Sequence, residues 1–135
     1  RMANLNFDYK VKAVLDKQAI DAIRTEVNKV TISESLERYI IELVFATRRP
    51  LEYGLREEAH YIQFGASPRA SIFLNVASKA LAYLEGRDYV LPEDIKELAP
   101  DIFNHRIMLN YEAEADGIRT LDVIDSILRK VAIGG

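Results

Sequence analysis

Apolar positions recur at helical spacing over most of the chain. Asp16 fits an N-cap, and Ile20, Ile23, Val27 and Val30 follow at intervals near three and four. A second periodic run extends from about Ser33 to Arg48, with Leu36, Ile40, Leu43, Val44 and Thr47 as its inner stripe. Its cap is either Ser33, or Thr31 paired with Glu34 in a capping box. The pattern fades from Arg49 to Gln63, where Pro50 and Gly54 predict a loop with no more than a turn of helix, and "YIQF" a brief extended stretch. The cleanest periodicity spans Pro68 to Glu85, with Gly86 as the C-terminal stop. Its stripe is Ile72, Phe73, Val76, Ala77, Ala80, Leu81 and Leu84, which predicts an inward face. A fourth helix opens at Pro92, where Glu93 and Asp94 suit the positive end of the dipole. Ile95, Leu98, Ile102 and Phe103 face inward, and Pro100 is expected to kink or split it. Residues 107–117 are ambiguous. Thr120 caps a last helix with Val123, Ile124, Ile127, Leu128 and Val131 inside.

About five helices with short connections predict a mainly α protein, a helical bundle. One or two very short strands fit near Tyr61, Tyr89 or Ile107. Residues 1–15 are mixed and extended and read as a linker, residues 16–131 as the helical domain, and residues 132–135 as a tail. The chain of 135 residues is long enough for one core. No apolar run approaches the ~20 residues of a membrane span. There is no cysteine, hence no disulfide framework and no thiolate metal site, which fits a cytoplasmic location. A net charge of -3 leaves no electrostatic footprint for nucleic acid, and no basic recognition helix is present.

One charge stands out. In "GASPRAS", Gly65 permits the tight backbone entry, Ser67 fits the N-cap and Pro68 the next position. Arg69 is then in the first turn, where the helix dipole disfavours a cation by a few tenths to ~1 kcal/mol. It lies three and four residues before Ile72 and Phe73, so it begins the apolar face. Either it pairs with a carboxylate or snorkels off the core edge, or an anion belongs there. Free N–H groups at a helix start, together with a guanidinium, suit phosphate.

The run "GASPRASIFLNVASKALAYLEGRDYVLPEDIKELAPDIFNHRIMLNYEAEADGI" resembles the C-terminal lid domain of MoxR-family AAA+ ATPases. The likeness continues back through "VTISESLERYIIELVFATR" and forward through "RTLDVIDSIL", and so covers nearly all of the chain from Val11 on. In that family "GASPRA" carries the sensor 2 arginine, which by position is Arg69. The resemblance implies that Arg69 touches the terminal phosphate of ATP held by a preceding AAA+ core, from which residues 1–15 would lead. It also implies ATP and Mg2+ as cofactors of the whole protein, an oligomeric ring (a hexamer), and a chaperone-like role with partners bearing a von Willebrand factor A domain. The family's "HR" pair falls on His105 and Arg106. One departure is Leu91, where the family often has a hydroxyl cap, so the helix start there is expected to fray. The phosphate loop G-x-x-x-x-G-K-[ST] and the magnesium-binding strand are absent from these residues, so this chain alone is not expected to hydrolyse ATP. The alternative is a free-standing helical interaction module in which Arg69 is merely structural.

Other motifs carry less. "EAEADG" (112–117) imitates the start of a calcium loop, but its twelfth position is Val123, where a glutamate is needed. "REEAHY" groups Glu57, Glu58 and His60 without zinc-helix spacing, and His60 reads as a loop residue beside carboxylates. "TRRP" (47–50) reads as helix C-terminal capping. Tyr39, Tyr53, Tyr61, Tyr83 and Tyr89 read as rim-of-core or interface residues rather than a stacking platform.

Overall fold

The computed structural model describes residues 17–134. The expected cap Asp16 and the linker 1–15 lie outside them. Seven α-helices, one 3-10 turn and two short strands occur among the described residues. In chain order these are α1 (Lys17–Asn28), α2 (Glu34–Arg48), the 3-10 turn (Pro50–Tyr53), α3 (Arg56–Tyr61), β1 (Ile62–Phe64), α4 (Arg69–Leu84), α5 (Pro92–Asn104), β2 (Met108–Leu109), α6 (Tyr111–Ala115) and α7 (Thr120–Lys130). The mainly α bundle is as expected. The count rises above five because the stretches expected as loop or left ambiguous, 49–63 and 107–117, hold the two short helices α3 and α6. His60 is accordingly helical.

The strands fall beside two of the three expected places. β1 and β2 pair antiparallel, Ile62 with Leu109 and Phe64 with Met108, with an irregularity between. At the third place Tyr89 forms an isolated parallel bridge with Thr31. Thr31 N–H donates to Asp88 O and Val90 N–H to Thr31 O, both at 2.9 Å. This ties the α1–α2 connection to the α4–α5 connection.

The core sits between α2, α4, α5 and α7. The stripe expected for α2 is buried throughout, from Leu36 to Thr47. Tyr39 belongs to it at 1% exposure, so it is a core residue rather than a rim one. Ser33 resolves the cap of α2, its Oγ accepting from Leu36 N–H at 3.2 Å. α5 buries Ile95, Ala99 and Phe103, and α7 buries Val123, Ile124 and Ile127. Ile20 and Ile23 of α1 remain exposed, and only Val30, just beyond its end, is buried.

Two helix starts use a device the sequence reading overlooked. Leu91 has no acceptor, yet the start of α5 is secured from the other side. The carboxylate of Asp94 reaches back and accepts Leu91 N–H at 2.7 Å. Arg87 clamps the same carboxylate through two bonds, at 2.8 and 2.7 Å. At α7, Thr120 is the first helical residue rather than the cap. There Asp122 accepts Arg119 N–H at 2.9 Å. Pro100 does not split α5, which runs unbroken to Asn104. The carbonyl it leaves without a donor belongs to Lys96, an exposed residue where water can serve.

α4 departs most from expectation. Its buried residues are Ala70, Leu74, Ser78 and Ala82, spaced by four along one face. Ile72, Phe73, Val76 and Leu84 are exposed by 62%, 50%, 56% and 79%. The strongest apolar stripe in the sequence therefore faces away from the core. The opposite, small-residue face packs inward, because short side chains let the helix approach its neighbours closely. The end of α4 follows the reading: Gly86 adopts φ 78°, with Gly86 N–H on Tyr83 O and Arg87 N–H on Ala82 O, both 2.9 Å.

Candidate functional site: the start of helix α4

β1 delivers the chain to the "GASPRAS" turn, and the end of α2 receives it. Thr47, fully buried in the last turn of α2, donates its hydroxyl to Val44 O at 2.6 Å and accepts Ala66 N–H at 2.9 Å. Arg48 donates to Ala66 O at 3.1 Å. A Cβ on Gly65 would collide with the Thr47 carbonyl and lie 2.8 Å from Arg48 N. Gly65 is thus required by close approach to α2 and not by a positive φ.

The cap falls one residue later than expected: Pro68 is itself the N-cap, with helical angles (φ -56°, ψ -22°), and Ser67, just before it, accepts Arg69 N–H on its Oγ at 3.2 Å. The next two N–H groups are also taken: Ala70 N–H donates to Ser67 O at 2.9 Å and Ser71 N–H to Pro68 O at 3.1 Å. The free amides expected at this helix start are therefore occupied within the chain. What remains for an anion is the dipole and the Arg69 side chain.

Arg69 is exposed, and its guanidinium has no hydrogen-bond or ion-pair partner among the described residues. It shares a helix face with Ile72, Phe73 and Val76, so the expectation of an inner face is corrected to an outer one. That face continues onto α2 through exposed Ile41 and Phe45, with a shallow groove between the helices. Arg106, just past α5, stands over the Phe73 ring at 4.8 Å and donates to Ile102 O at 2.8 Å. This contact between the "HR" pair and α4 was not legible in spacing, because it joins residues from different helices. His105 ends α5, as read.

The remaining motifs are tied up elsewhere. His60 meets Glu112 at 2.8 Å, and the Tyr61 hydroxyl donates to Asp116 at 2.7 Å, so these acids join α3 to α6 instead of converging. No group of three metal-ligating side chains occurs among the described residues. No helix among them is long and apolar enough to cross a membrane.

The AAA lid domain family matches residues 56–127. The chain is 42% identical over 102 residues to Chaperone MoxR1 of Mycobacterium tuberculosis, covering 76% of this chain and 27% of that protein. It is 33% identical over 123 residues to Protein MoxR of Methylorubrum extorquens, covering 87% of this chain and 35% of that one. The crystal structure of a protein from Cytophaga hutchinsonii, described as a candidate ATPase, superposes with a TM-score of 0.88 at 63% identity. That match covers 100% of this chain and 41% of the other. The chain thus spans well under half the length of these relatives. It belongs to the AAA lid domain family, as the lid domain of a MoxR-family AAA+ ATPase.

Proposed function

We propose that this lid closes over ATP bound by a core domain and presents Arg69 to its terminal phosphate, in the role of a sensor 2 arginine. One observation carries the reading: an exposed arginine in the first turn of a long helix, with no carboxylate or carbonyl among the described residues engaging it. The dipole disfavours a cation there, and no contact among the described residues offsets that cost. A phosphate would, since a guanidinium bonds two of its oxygens and keeps its charge. ATP and Mg2+ would supply the hydrolytic chemistry from the core. The lid's own part is to bind, orient and follow the phosphate.

The setting supports the same reading. Arg69 heads an uncovered apolar face formed by α2 and α4, suited to packing against the core domain that holds the nucleotide. Losing the terminal phosphate removes a partner of Arg69, and the lid then shifts relative to the core. A free-standing interaction module would also use the apolar face, but it gives no account of the unpaired arginine. The family further leads us to propose a hexameric ring in the cytoplasm, chaperone-like remodelling, and partners with a von Willebrand factor A domain. In the full-length protein, Arg69→Ala should lower ATP turnover at least tenfold, the loss typical of one phosphate-binding donor, with the lid still folded. Wild-type turnover in that variant would remove Arg69 from the site.

A further inference from the structure

We propose that Thr47 is a positioning residue for Arg69: it holds the "GASPRAS" turn against the end of α2 and thereby sets where α4 begins. This role rests on the reading of Arg69 above. The hydroxyl of Thr47 has a fixed polarity. Its proton is committed to Val44 O at 2.6 Å, which turns its lone pairs toward Ala66 N–H at 2.9 Å. Thr47 and Ala66 are both fully buried, so no water can replace this bond. Arg48 grips the other side of the same residue through Ala66 O. The backbone of Gly65 lies directly on the Thr47 carbonyl, closer than any side chain would allow.

From Ala66 the path to Arg69 is short and stiff. Ser67 caps Arg69 N–H, and Pro68 is fixed in φ by its ring. The position of the Arg69 backbone is thus dictated by α2, although Thr47 and Arg69 are separated by the 3-10 turn, α3 and β1. Thr47 looks like an ordinary member of the α2 core stripe, yet a valine of the same shape would fill that place and leave Ala66 N–H without a partner.

The test uses the full-length protein with Thr47→Val, Thr47→Ser, Arg69→Ala and the Thr47→Val/Arg69→Ala double variant. Turnover, KM for ATP and hydrogen exchange at Ala66 are measured. A misplaced catalytic contact costs up to a hundredfold; Thr47→Val should lower kcat roughly tenfold and speed exchange at Ala66, while Thr47→Ser retains both values. On the Arg69→Ala background the valine should cause no further loss, since residues acting as one unit are not additive. Unchanged turnover in Thr47→Val, or a full further loss in the double variant, would overturn the role. If the valine variant does not fold, Arg48→Ala, at an exposed position, loosens the same seat from its other side: kcat should fall roughly tenfold, with no further loss on the Arg69→Ala background, and an unchanged kcat would overturn the role. Arg69→Ala alone decides the sensor reading: if it keeps full turnover, that reading fails and the positioning role fails with it. If it is impaired, the Thr47 variants judge positioning separately.

Discussion

At the scale of single residues, three contacts carry consequences that can be measured. Gly65→Ala places a methyl group into the backbone of α2, and no flexible side chain can yield to it. It should destabilise the lid by roughly 1–3 kcal/mol, the usual cost of overpacking, visible as a lower melting temperature. Asp94 is 4% exposed. Burial alone would push its carboxyl up, but the bonds from Arg87 and Leu91 N–H, with the charge of Arg87, outweigh burial and hold it below its ordinary value. Its stabilising contribution is therefore complete above the unfolded carboxyl value of about 3.9 and fades as pH falls through the lower folded value. Asp94→Ala should cost roughly 2–4 kcal/mol near neutral pH by orphaning Arg87 and the start of α5. The wild type's advantage over that variant should shrink below pH ~4 in acid titrations followed by circular dichroism. Tyr53 behaves in the opposite direction. Burial, then its 2.7 Å bond to Glu42, push the phenol up to about 12, so the stability it provides is complete below about pH 10 and is lost as pH rises from there through about 12.

At the scale of elements, α4 separates packing from periodicity. Leu74→Ala should cost roughly 2–5 kcal/mol, because Leu74 is fully buried. Ile72→Ser and Val76→Ser should change the stability of the lid by no more than about 0.5 kcal/mol, because both side chains face solvent. Chemical denaturation of the three variants distinguishes the two faces, and equal losses would contradict this orientation of α4. The same helix shows how far the sequence could be read. Periodicity located α2, α4, α5 and α7 within a few residues, and it identified the buried faces of α2 and α7. It misjudged α4 because an amphipathic pattern reports that a face will be covered, not which body covers it. The small residues Ala70, Ser78 and Ala82 are weak hydrophobic signals, yet they form the seam that packs. The turn before α4 was legible in Gly65, Ser67 and Pro68, each with a local signature, although the cap falls on Pro68 and not on Ser67. The tie from Thr47 and Arg48 to Ala66 was not, since it spans 18–19 residues and leaves no periodic trace. Capping by Asp94 and Asp122 escaped notice because the acceptor lies after the helix start instead of before it.

At the scale of the whole molecule, the lid carries an uncovered apolar face. The His60–Glu112 and Tyr61–Asp116 ties join α3 to α6. α2 and α4 present Ile41, Phe45, Ile72, Phe73 and Val76 with Arg69 at the head of α4. A lid produced without its core should therefore self-associate as concentration rises, and Ile72→Asp should return it to monomer in sedimentation experiments while leaving its melting temperature nearly unchanged. Monomeric behaviour of the unmodified lid at high concentration would count against an adhesive face. The seat of Gly65 on α2 has a mechanical meaning for such an assembly. Backbone resting on backbone leaves no slack between α2 and the turn that opens α4. A push on the end of α2 would therefore bear directly on the turn that leads to Arg69, with no compliant side chain between the two backbones to absorb it.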